Sequence, residues 1–284
     1  MIALVHYVKS HGLGNDYIVI DPATVPFPVT PEAVRLICDR HYGVGSDGVL
    51  LVQPAEGGDF GVRIFNPDGS DAEKSGNGIR IVAKYLREHG YASSDRFTID
   101  TAGGRVAVEC AVRGGRVVEV TAEMGTVTFH PTESIEVLGR RLAVTSLSIG
   151  NPHCVVIVDD LATIDPHTLG PHIEAHRAFP ARTNVQFAEV LSRSHVAIEI
   201  WERGAGYTLA SGSSSCAAVA ACHRTRLVDR DVVVTMPGGD LDVTVGDGYA
   251  MRLRGPVEEV MSGDLSAELV DKLVGLGGAA TSPS

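Results

Sequence analysis

The chain has 284 residues, which is long for one small core and suits two domains of roughly 140 residues each. Its 24 Lys and Arg against 35 Asp and Glu give a formal net charge of −11, and no basic run exceeds the pair Arg140-Arg141. Because a nucleic-acid-binding protein needs a basic footprint, this balance excludes that class and predicts a small-molecule partner.

The cysteines and the hydropathy pattern predict where the protein works. The five cysteines form no CxxC pair, so the usual cysteine metal motifs are not expected, and their odd number favours free thiols in a reducing cytosol. The N-terminal stretch MIALVHYVKSHG alternates like a strand and lacks the parts of a signal peptide, and no apolar run approaches membrane-spanning length. We therefore expect a cytoplasmic protein without membrane contact; whether it forms a homodimer stays open.

Strand patterns come first along the chain. Alternation at every second position predicts strands around Ile18 and Ile20, Val49 and Leu51, and Val62 and Ile64. Between the first two of these strands, Thr30 as N-cap and Pro31 behind it predict a helix that ends near Gly43.

Two further helices are predicted, each behind a Ser-Gly pair. After Ser75, apolar residues recur at helical spacing, with Gly90 as the expected C-cap. After Ser211, the stretch CAAVAAC is small and apolar all round, which is typical of a helix buried in the middle of its own domain. The last residues, GLGGAATSPS, are expected to form a frayed tail over 275–284.

The two Ser-Gly pairs belong to an internal repeat. Ser75 and Ser211 are 136 positions apart, and the same offset aligns Gly14-Asn15 with Gly150-Asn151 and the strand VRIFN with IEIWE. Three matches at one offset without gaps indicate a duplication. We therefore expect two homologous α/β domains, over residues 1–130 and 131–274.

Two serines at two helix starts suggest chemistry on one ligand. A helix N-terminus offers unpaired N–H groups and the positive end of the dipole, which together favour an anion, and Gly76 and Gly212 would leave room for its approach. If the halves pack face to face, Ser75 and Ser211 would reach one carboxylate from opposite sides. That geometry suits a reaction in which a proton leaves one face of a carbon and returns on the other. Plain N-capping by serine is the alternative for either residue alone.

Six blocks of the chain resemble the signature blocks of diaminopimelate epimerases, in the family order and over about two hundred residues. They are HGLGNDY, CDRHYGVGSDG, FNPDGSDAEKSGNGIR, GNPH, RTNVQF and ERGAGYTLASGSSSCAA. The resemblance implies an α/β (α+β) fold of two pseudo-symmetric domains, each a mixed-sheet, barrel-like shell around a central helix, with the site between them. It also implies an isomerase that works without pyridoxal phosphate or any other cofactor and interconverts LL- and meso-diaminopimelate for lysine and cell-wall synthesis.

The family's recognition residues carry over position by position. The resemblance implies that the distal amino-acid end of the substrate is bound by Asn15, Asn66, Asn151, Asn184 and Arg203. An Arg-carboxylate clamp with amide partners suits that task. The same resemblance implies that the reacting carboxylate is held by the backbone N–H groups of Gly76, Asn77, Gly212 and Ser213. The alternatives are a turn role for each asparagine and a rim salt bridge for Arg203.

The chain departs from the family at the acid/base positions. Where the family carries two cysteines, this chain has Ser75 and Ser211. A serine hydroxyl is a far weaker acid than a thiol and needs a neighbouring base. The family places a histidine and a glutamate near its cysteines, and His153 and Glu202 stand at those positions. The resemblance therefore allows Ser75–His153 and Ser211–Glu202 dyads, although Glu202 could instead take the distal ammonium.

Three neighbouring residues bear on this departure. Lys74 replaces a residue that is usually apolar in the family, and burial would depress the pKa of its ammonium. Adjacent loop residues often point opposite ways, however, so we expect Lys74, next to Ser75, to be solvated. Tyr207 stands where many members have Glu, which leaves substrate preference open. Cys216 should lie inside the helix and is not expected to replace the nucleophile.

Several interpretations of the paired serines remain. The chain could be a natural sub-branch with altered activity, an inactive double Cys→Ser variant, or a non-catalytic amino-acid binder. Lys74 and Tyr207 favour natural divergence, since an engineer had little reason to change them. A second enzymatic interpretation is the isomerisation of another amino acid or small carboxylate through Lys74, His153 or Glu202.

Overall fold

The computed structural model describes residues 5–279, which form a mixed α/β fold. The elements up to residue 130 are β1 His6–Gly12, β2 Asn15–Ile20, α1 Pro31–Cys38, β3 Val49–Gln53, β4 Phe60–Phe65, β5 Asp71–Ala72, α2 Gly76–Glu88, β6 Arg96–Thr101, β7 Gly104–Arg113, β8 Arg116–Thr126 and β9 Thr128–Phe129. The remaining elements are β10 Ser134–Val137, β11 Arg140–Ala143, β12 Thr145–Ser148, β13 Pro152–Val158, α3 Pro166–Glu174, β14 Asn184–Ser192, β15 His195–Glu202, β16 Gly206–Tyr207, α4 Gly212–Arg224, β17 Asp231–Met236, β18 Gly239–Val245, β19 Ala250–Pro256, β20 Glu258–Asp264 and α5 Ala267–Ala279. None of the helices in this part of the chain is long and apolar enough to cross a membrane.

The internal repeat is present in the strand register. Strands β2 and β3 pair in parallel with Ile18 opposite Val49, and β13 and β14 pair in parallel with Cys154 opposite Val185, which are the positions 136 residues further on. Helices α2 and α4 begin and end at the same offset. The two halves are therefore structural copies of each other.

Each half is a shell of strands around one central helix. Helix α2 packs against β1, β2, β3, β7 and β8, while α4 packs against β13, β14, β15 and β18. Every residue of α4 from 212 to 222 is buried, as the all-round apolar pattern predicts. The shell of the first half is covered on its outer face, because Ile18 and Ile20 pack with residues of α1 and α5 while Val19 faces the core that contains α2.

The halves are joined by continuous strand pairing. Strand β19 pairs antiparallel with β8, and β12 pairs with β9, so the sheets of the two halves run into each other. The last segment then returns to the first half: β20 pairs antiparallel with β1, and Val270 and Leu273 of α5 join the core around Ile18. The expected boundary of 131–274 is therefore wrong for β20 and α5, because the repeat pattern does not reveal this pairing.

Two expected helix ends also differ from the structure. Thr30 caps α1, its Oγ1 accepting from the N–H of Ala33 at 3.3 Å, but the helix ends at Cys38 and not near Gly43. The Asp39 carboxylate accepts from the backbone N–H groups of His41 and Tyr42, a local turn that competes with a further helical turn. The expected tail at 275–284 was wrong in its first part, since α5 continues to Ala279; its remainder, 280–284, lies outside the described residues.

Candidate active site

The N-termini of α2 and α4 meet where the two halves join. A β-carbon built on Gly76 would lie 2.7 Å from the Cα of Gly212, and one built on Gly212 would lie 2.8 Å from the Cα of Gly76. Any side chain at either position would collide with backbone, so both positions require glycine. The missing side chains thus let the two helix N-termini approach each other, which is a different use of these glycines from the expected room for a ligand.

This contact brings two sets of first-turn N–H groups together. First-turn N–H groups have no acceptor within their own helix. Gly76, Asn77, Gly212 and Ser213 also find none elsewhere in residues 5–279. Two helix dipoles therefore point their positive ends at one place, which is the electrostatic arrangement that a carboxylate needs.

The two equivalent serines make different contacts. The Ser75 Oγ accepts from the backbone N–H of Gly78 at 3.0 Å and lies 3.4 Å from the Tyr17 hydroxyl, so Ser75 is an N-cap. Ser211 begins α4 without a side-chain capping bond in the described chain, and its side chain instead lowers the pKa of Glu202, which lines the same cavity. A pair that the repeat predicts to be symmetrical is thus asymmetrical in its hydrogen bonding.

Glu202 is the carboxyl group beside Ser211. Burial raises the pKa of Glu202 to about 7; a hydrogen bond with the Ser211 side chain lowers it, and the negative charge of Asp47 raises it. A carboxyl that titrates near neutrality can both accept and donate a proton under physiological conditions. Ser211 and Glu202 line the same cavity, and their action as an acid/base pair stays a prediction.

His153 occupies a different place from the one expected. Its ring is buried, its Nε2–H donates to the Oδ1 of Asn151 at 3.0 Å, and it forms no hydrogen bond with Ser75 in residues 5–279. Burial lowers the pKa of His153 to about 3, so the ring is neutral at physiological pH and a weak base. The expected Ser75–His153 dyad is therefore wrong in this structure, and the contact of His153 is to the amide of Asn151.

A cavity of about 300 Å³ opens in front of the two helix N-termini. Of the residues expected to form the site, those that line it are Asn66, Ser75, Asn151, Asn184, Glu202, Arg203, Ser211 and Ser213. Asn15 lies in a neighbouring cavity of about 230 Å³, which also contacts Asn66 and Glu202. Most of the expected residues, drawn from both halves, thus face one volume.

Several asparagines of the site already have hydrogen-bond partners in the described chain. The amide of Asn184 accepts from the backbone N–H of Arg203 at 3.0 Å, and that of Asn66 donates to the Ser70 hydroxyl at 2.9 Å. Asn77 donates to the Asn15 side chain at 3.0 Å and to the carbonyl of Ala210 at 2.8 Å, which ties the two halves together. The Asn77 side chain therefore links the two halves, while its backbone N–H is one of the first-turn groups without an acceptor in residues 5–279.

An ion pair crosses the cavity between the halves. The Arg203 guanidinium contacts the carboxylate of Glu73, and its other end donates to the carbonyl of Ala181 at 3.3 Å. Arg203 is thus partly covered, with 22 % of its side chain exposed, and it is oriented into the cavity rather than towards solvent. The alternative role for Arg203, a salt bridge at the rim, applies to the Glu73 contact in part, because 42 % of the Glu73 side chain is exposed.

Lys74 is buried, so the expectation of a solvated side chain was wrong. Its Nζ donates to the carbonyl of Met124 at 2.6 Å, and it has no carboxylate partner in the described residues. A β-carbon on Gly103 would lie 3.0 Å from the Lys74 Cβ, so a side chain there would crowd Lys74. Burial lowers the pKa of the Lys74 ammonium.

Tyr207 and Cys216 lie away from the 300 Å³ cavity. The Tyr207 hydroxyl donates to Glu199 at 2.7 Å, and its ring lines the neighbouring cavity. Cys216 lies within α4, and burial raises the pKa of its thiol to about 12, while Lys74 and Arg80 lower it. All five cysteines are buried and free, and no group of three or more His, Cys, Asp or Glu side chains in residues 5–279 could hold a metal ion.

Among the cavity residues that sequence reasoning missed, two contact expected site residues directly. Tyr17, in the HGLGNDY block, contacts the Ser75 hydroxyl, and Glu73, in the EKSGNG block, contacts Arg203. Both stand inside blocks that mark the site, but their partners lie 58 and 130 residues away. No local pattern reports such distant contacts.

Comparison with known proteins places these features in a family. The family model described as diaminopimelate epimerase matches residues 7–130 and 145–264. "Diaminopimelate epimerase 2" of Nostoc sp. is 46% identical over 279 residues, which cover 93% of this chain and 96% of the relative. The diaminopimelate epimerase of Pelotomaculum thermopropionicum is 43% identical and covers 91% of this chain and 98% of its own.

Solved structures agree on the fold. A hydroxyproline epimerase from Agrobacterium vitis superposes with a TM-score of 0.76 at 18% identity, covering 98% of this chain and 95% of its own. A probable proline racemase from Agrobacterium radiobacter superposes with a TM-score of 0.75 at 16% identity, covering 93% of each chain. At this identity the likeness concerns the fold alone.

Proposed function

Because the chain belongs to the diaminopimelate epimerase family, we propose that it is a cofactor-independent isomerase that interconverts LL- and meso-diaminopimelate, for lysine and cell-wall synthesis. The observation that carries the proposal is the meeting of two helix N-termini between Ser75 and Ser211. The reacting carboxylate would accept from the N–H groups of both helices. Negative charge that develops when the α-proton leaves would then fall where two positive helix ends point.

On the Ser211 face, Glu202 supplies the base. Its carboxylate takes the proton of the Ser211 hydroxyl as that oxygen removes the α-proton, which leaves Glu202 protonated and the hydroxyl restored. A carboxyl with a pKa of about 7 is suited to this exchange, because both of its forms are populated at neutral pH. In the reverse reaction the same pair returns the proton.

On the Ser75 face, the hydroxyl donates its proton to the planar carbon. Ser75 then regains a proton from solvent and protonated Glu202 releases one to solvent, so both groups return to their starting forms. Because the Ser75 oxygen accepts from the Gly78 N–H, its own hydrogen is free for Tyr17 or for the substrate. The distal end of the substrate would lie against Arg203 and the amides of Asn66, Asn151 and Asn184, with Asn15 behind them. His153 acts as a positioning residue, since it holds the Asn151 amide.

A second enzymatic candidate rests on Lys74. A buried amine with a lowered pKa and no carboxylate partner in residues 5–279 is a group that could move protons on another amino acid or small carboxylate. The same cavity would also serve a binder that has lost the reaction. Buried free thiols support a cytoplasmic location for either enzyme, and a mass in solution decides whether the protein is a homodimer.

The deciding experiment follows the α-hydrogen. The protein is incubated with LL-diaminopimelate in D₂O, deuterium at the α-carbon is followed by NMR, and the stereoisomers are separated by chiral chromatography. The proposal expects deuterium incorporation together with meso product. Binding without exchange would identify a binder, and exchange on another amino acid but not on diaminopimelate would favour the second candidate.

A further inference from the structure

The distal end of the substrate carries two charges, and each needs a partner. If the proposed function holds, that end is an α-amino acid with a carboxylate and an ammonium on one carbon. Arg203 is suited to the carboxylate because its planar guanidinium matches two oxygens. The ammonium requires an anion or several carbonyl oxygens near Arg203.

Four carboxyl side chains line the cavity, and three of them are occupied elsewhere. Glu202 interacts with Ser211, and its form at neutral pH is divided between acid and carboxylate. Asp68 accepts from the backbone and hydroxyl of Ser70, at 2.9 and 2.6 Å. Asp71 pairs with Arg63, whose Nε lies 2.5 Å away.

Glu73 is the fourth carboxyl and the one beside Arg203. Its backbone carbonyl accepts from the N–H of Gly103 at 2.6 Å, while the backbone N–H of Arg203 is held by Asn184. The main chains of both residues are thus fixed, one in each half, and their side chains meet across the cavity. With 42 % of its side chain exposed, Glu73 has room for a second partner.

We propose that Glu73 binds the ammonium of the substrate's distal end while Arg203 binds the carboxylate of that same end. The ion pair of Arg203 and Glu73 thereby recognises a zwitterion. Arg203 gains the carboxylate of the ligand and Glu73 gains its ammonium, while the two side chains stay in contact with each other. The inference rests on the proposed function and assigns Glu73 as a specificity-determining residue. A ligand that lacks the distal ammonium would place its carboxylate next to Glu73 with no charge to offset it.

The test measures binding rather than turnover. Isothermal titration calorimetry compares diaminopimelate with 2-aminopimelate, which lacks the distal amino group, on the wild type and on Glu73→Gln. We expect Glu73→Gln to weaken diaminopimelate binding by about tenfold or more. The same variant should bind 2-aminopimelate as well as the wild type or more tightly, because Arg203 is then released from its resident partner.

Asp71→Asn is the matched control. It removes the same charge from the same cavity wall two residues away, but from a carboxylate that is paired with Arg63. Glu73→Gln that binds diaminopimelate like the wild type would overturn the inference, and so would an equal loss of both ligands or an equal effect of Asp71→Asn.

The outcomes for the inference and for the proposed function can be told apart. If diaminopimelate binding depends on Glu73 but the wild type shows no α-hydrogen exchange, the role of Glu73 is supported and the proposed reaction is contradicted. If the wild type shows exchange but Glu73→Gln has an unchanged KM, the proposed reaction is supported and the role of Glu73 is contradicted.

Discussion

Gly76 and Gly212 occupy equivalent positions in the two halves and touch each other through their backbones. A methyl group on Gly212 would lie 2.7 Å from Leu253 Cδ2 and 2.8 Å from the Gly76 Cα, and the backbone contact cannot be relieved by a rotamer change. The spacing of the two helix N-termini therefore depends on the absence of two side chains.

Gly212→Ala should lower the free energy of unfolding by about 1–3 kcal/mol, because overpacking forces backbone apart. Urea unfolding at neutral pH measures this. Gly275→Ala is the control, since its β-carbon would meet nothing within 4 Å and alanine favours the helix at this exposed position of α5. Equal stability of Gly212→Ala and the wild type would show that the helices do not need to be this close.

Ser75→Ala should cost more stability than Ser211→Ala. Ser75 caps α2 through the Gly78 N–H, and loss of a serine cap costs about 1 kcal/mol. Ser211 makes no capping bond to the first turn of α4, so its removal should cost less. Thermal unfolding of both variants checks the order, and a larger loss for Ser211→Ala would contradict the asymmetry.

The rate of α-hydrogen exchange should rise with pH through a midpoint near 7. The base form of Glu202 is the carboxylate, and burial raises the pKa of this group to about 7, so the active form accumulates as pH increases through that value. Glu202→Gln should lower the exchange rate by about 100-fold or more and abolish its rise with pH near 7. Glu199→Gln is the control: Glu199 lies on the same strand but is bonded to Tyr207, so the rise with pH should remain. A rise near pH 7 that persists in Glu202→Gln would assign the titration to another group.

Lys74→Met should stabilise the protein at neutral pH. Burial lowers the pKa of Lys74 below its ordinary value of 10.5, so the folded state carries the full cost of a buried ammonium at pH values below the folded pKa. That cost disappears as pH rises towards 10.5, and the advantage of Lys74→Met should shrink over the same range. Lys84→Met should instead destabilise, since Lys84 is buried with Glu88 at 2.6 Å. A loss of stability in Lys74→Met at pH 7 would contradict the expected cost.

The double change Ser75→Cys with Ser211→Cys should raise the rate of epimerisation. A thiol has an ordinary pKa near 8.5 and forms its anion far more easily than a hydroxyl. Deuterium exchange and chiral analysis in D₂O measure the gain. An inactive double variant that still binds diaminopimelate would place the divergence in Lys74, Tyr207 or the closure of the halves.

The duplication and the central helices could be predicted from the sequence because they are local and periodic. The offset from Ser75 to Ser211 recurs in the strand register, and the all-apolar CAAVAAC stretch is buried as expected. The burial of Lys74 could not be predicted, because its ammonium is held by the carbonyl of Met124, which is 50 residues away in the chain.

The residues that line the cavity were more predictable than the contacts they make. The family blocks indicate which residues face the cavity, whereas the burial of His153 against Asn151 is set by three-dimensional packing. The return of β20 to β1 is likewise a pairing between the two ends of the described chain, and neither strand's own pattern specifies its partner.

The contact between equivalent glycines has the geometry of a two-fold dimer interface folded into one polypeptide. Two identical subunits meeting in this way would place the same side chains on both sides of the cavity. Covalent linkage of the copies removes that constraint, so Ser75 can cap its helix while Ser211 lies beside Glu202. A cavity between two similar halves can thereby distinguish the two ends, and the two faces, of a nearly symmetrical molecule.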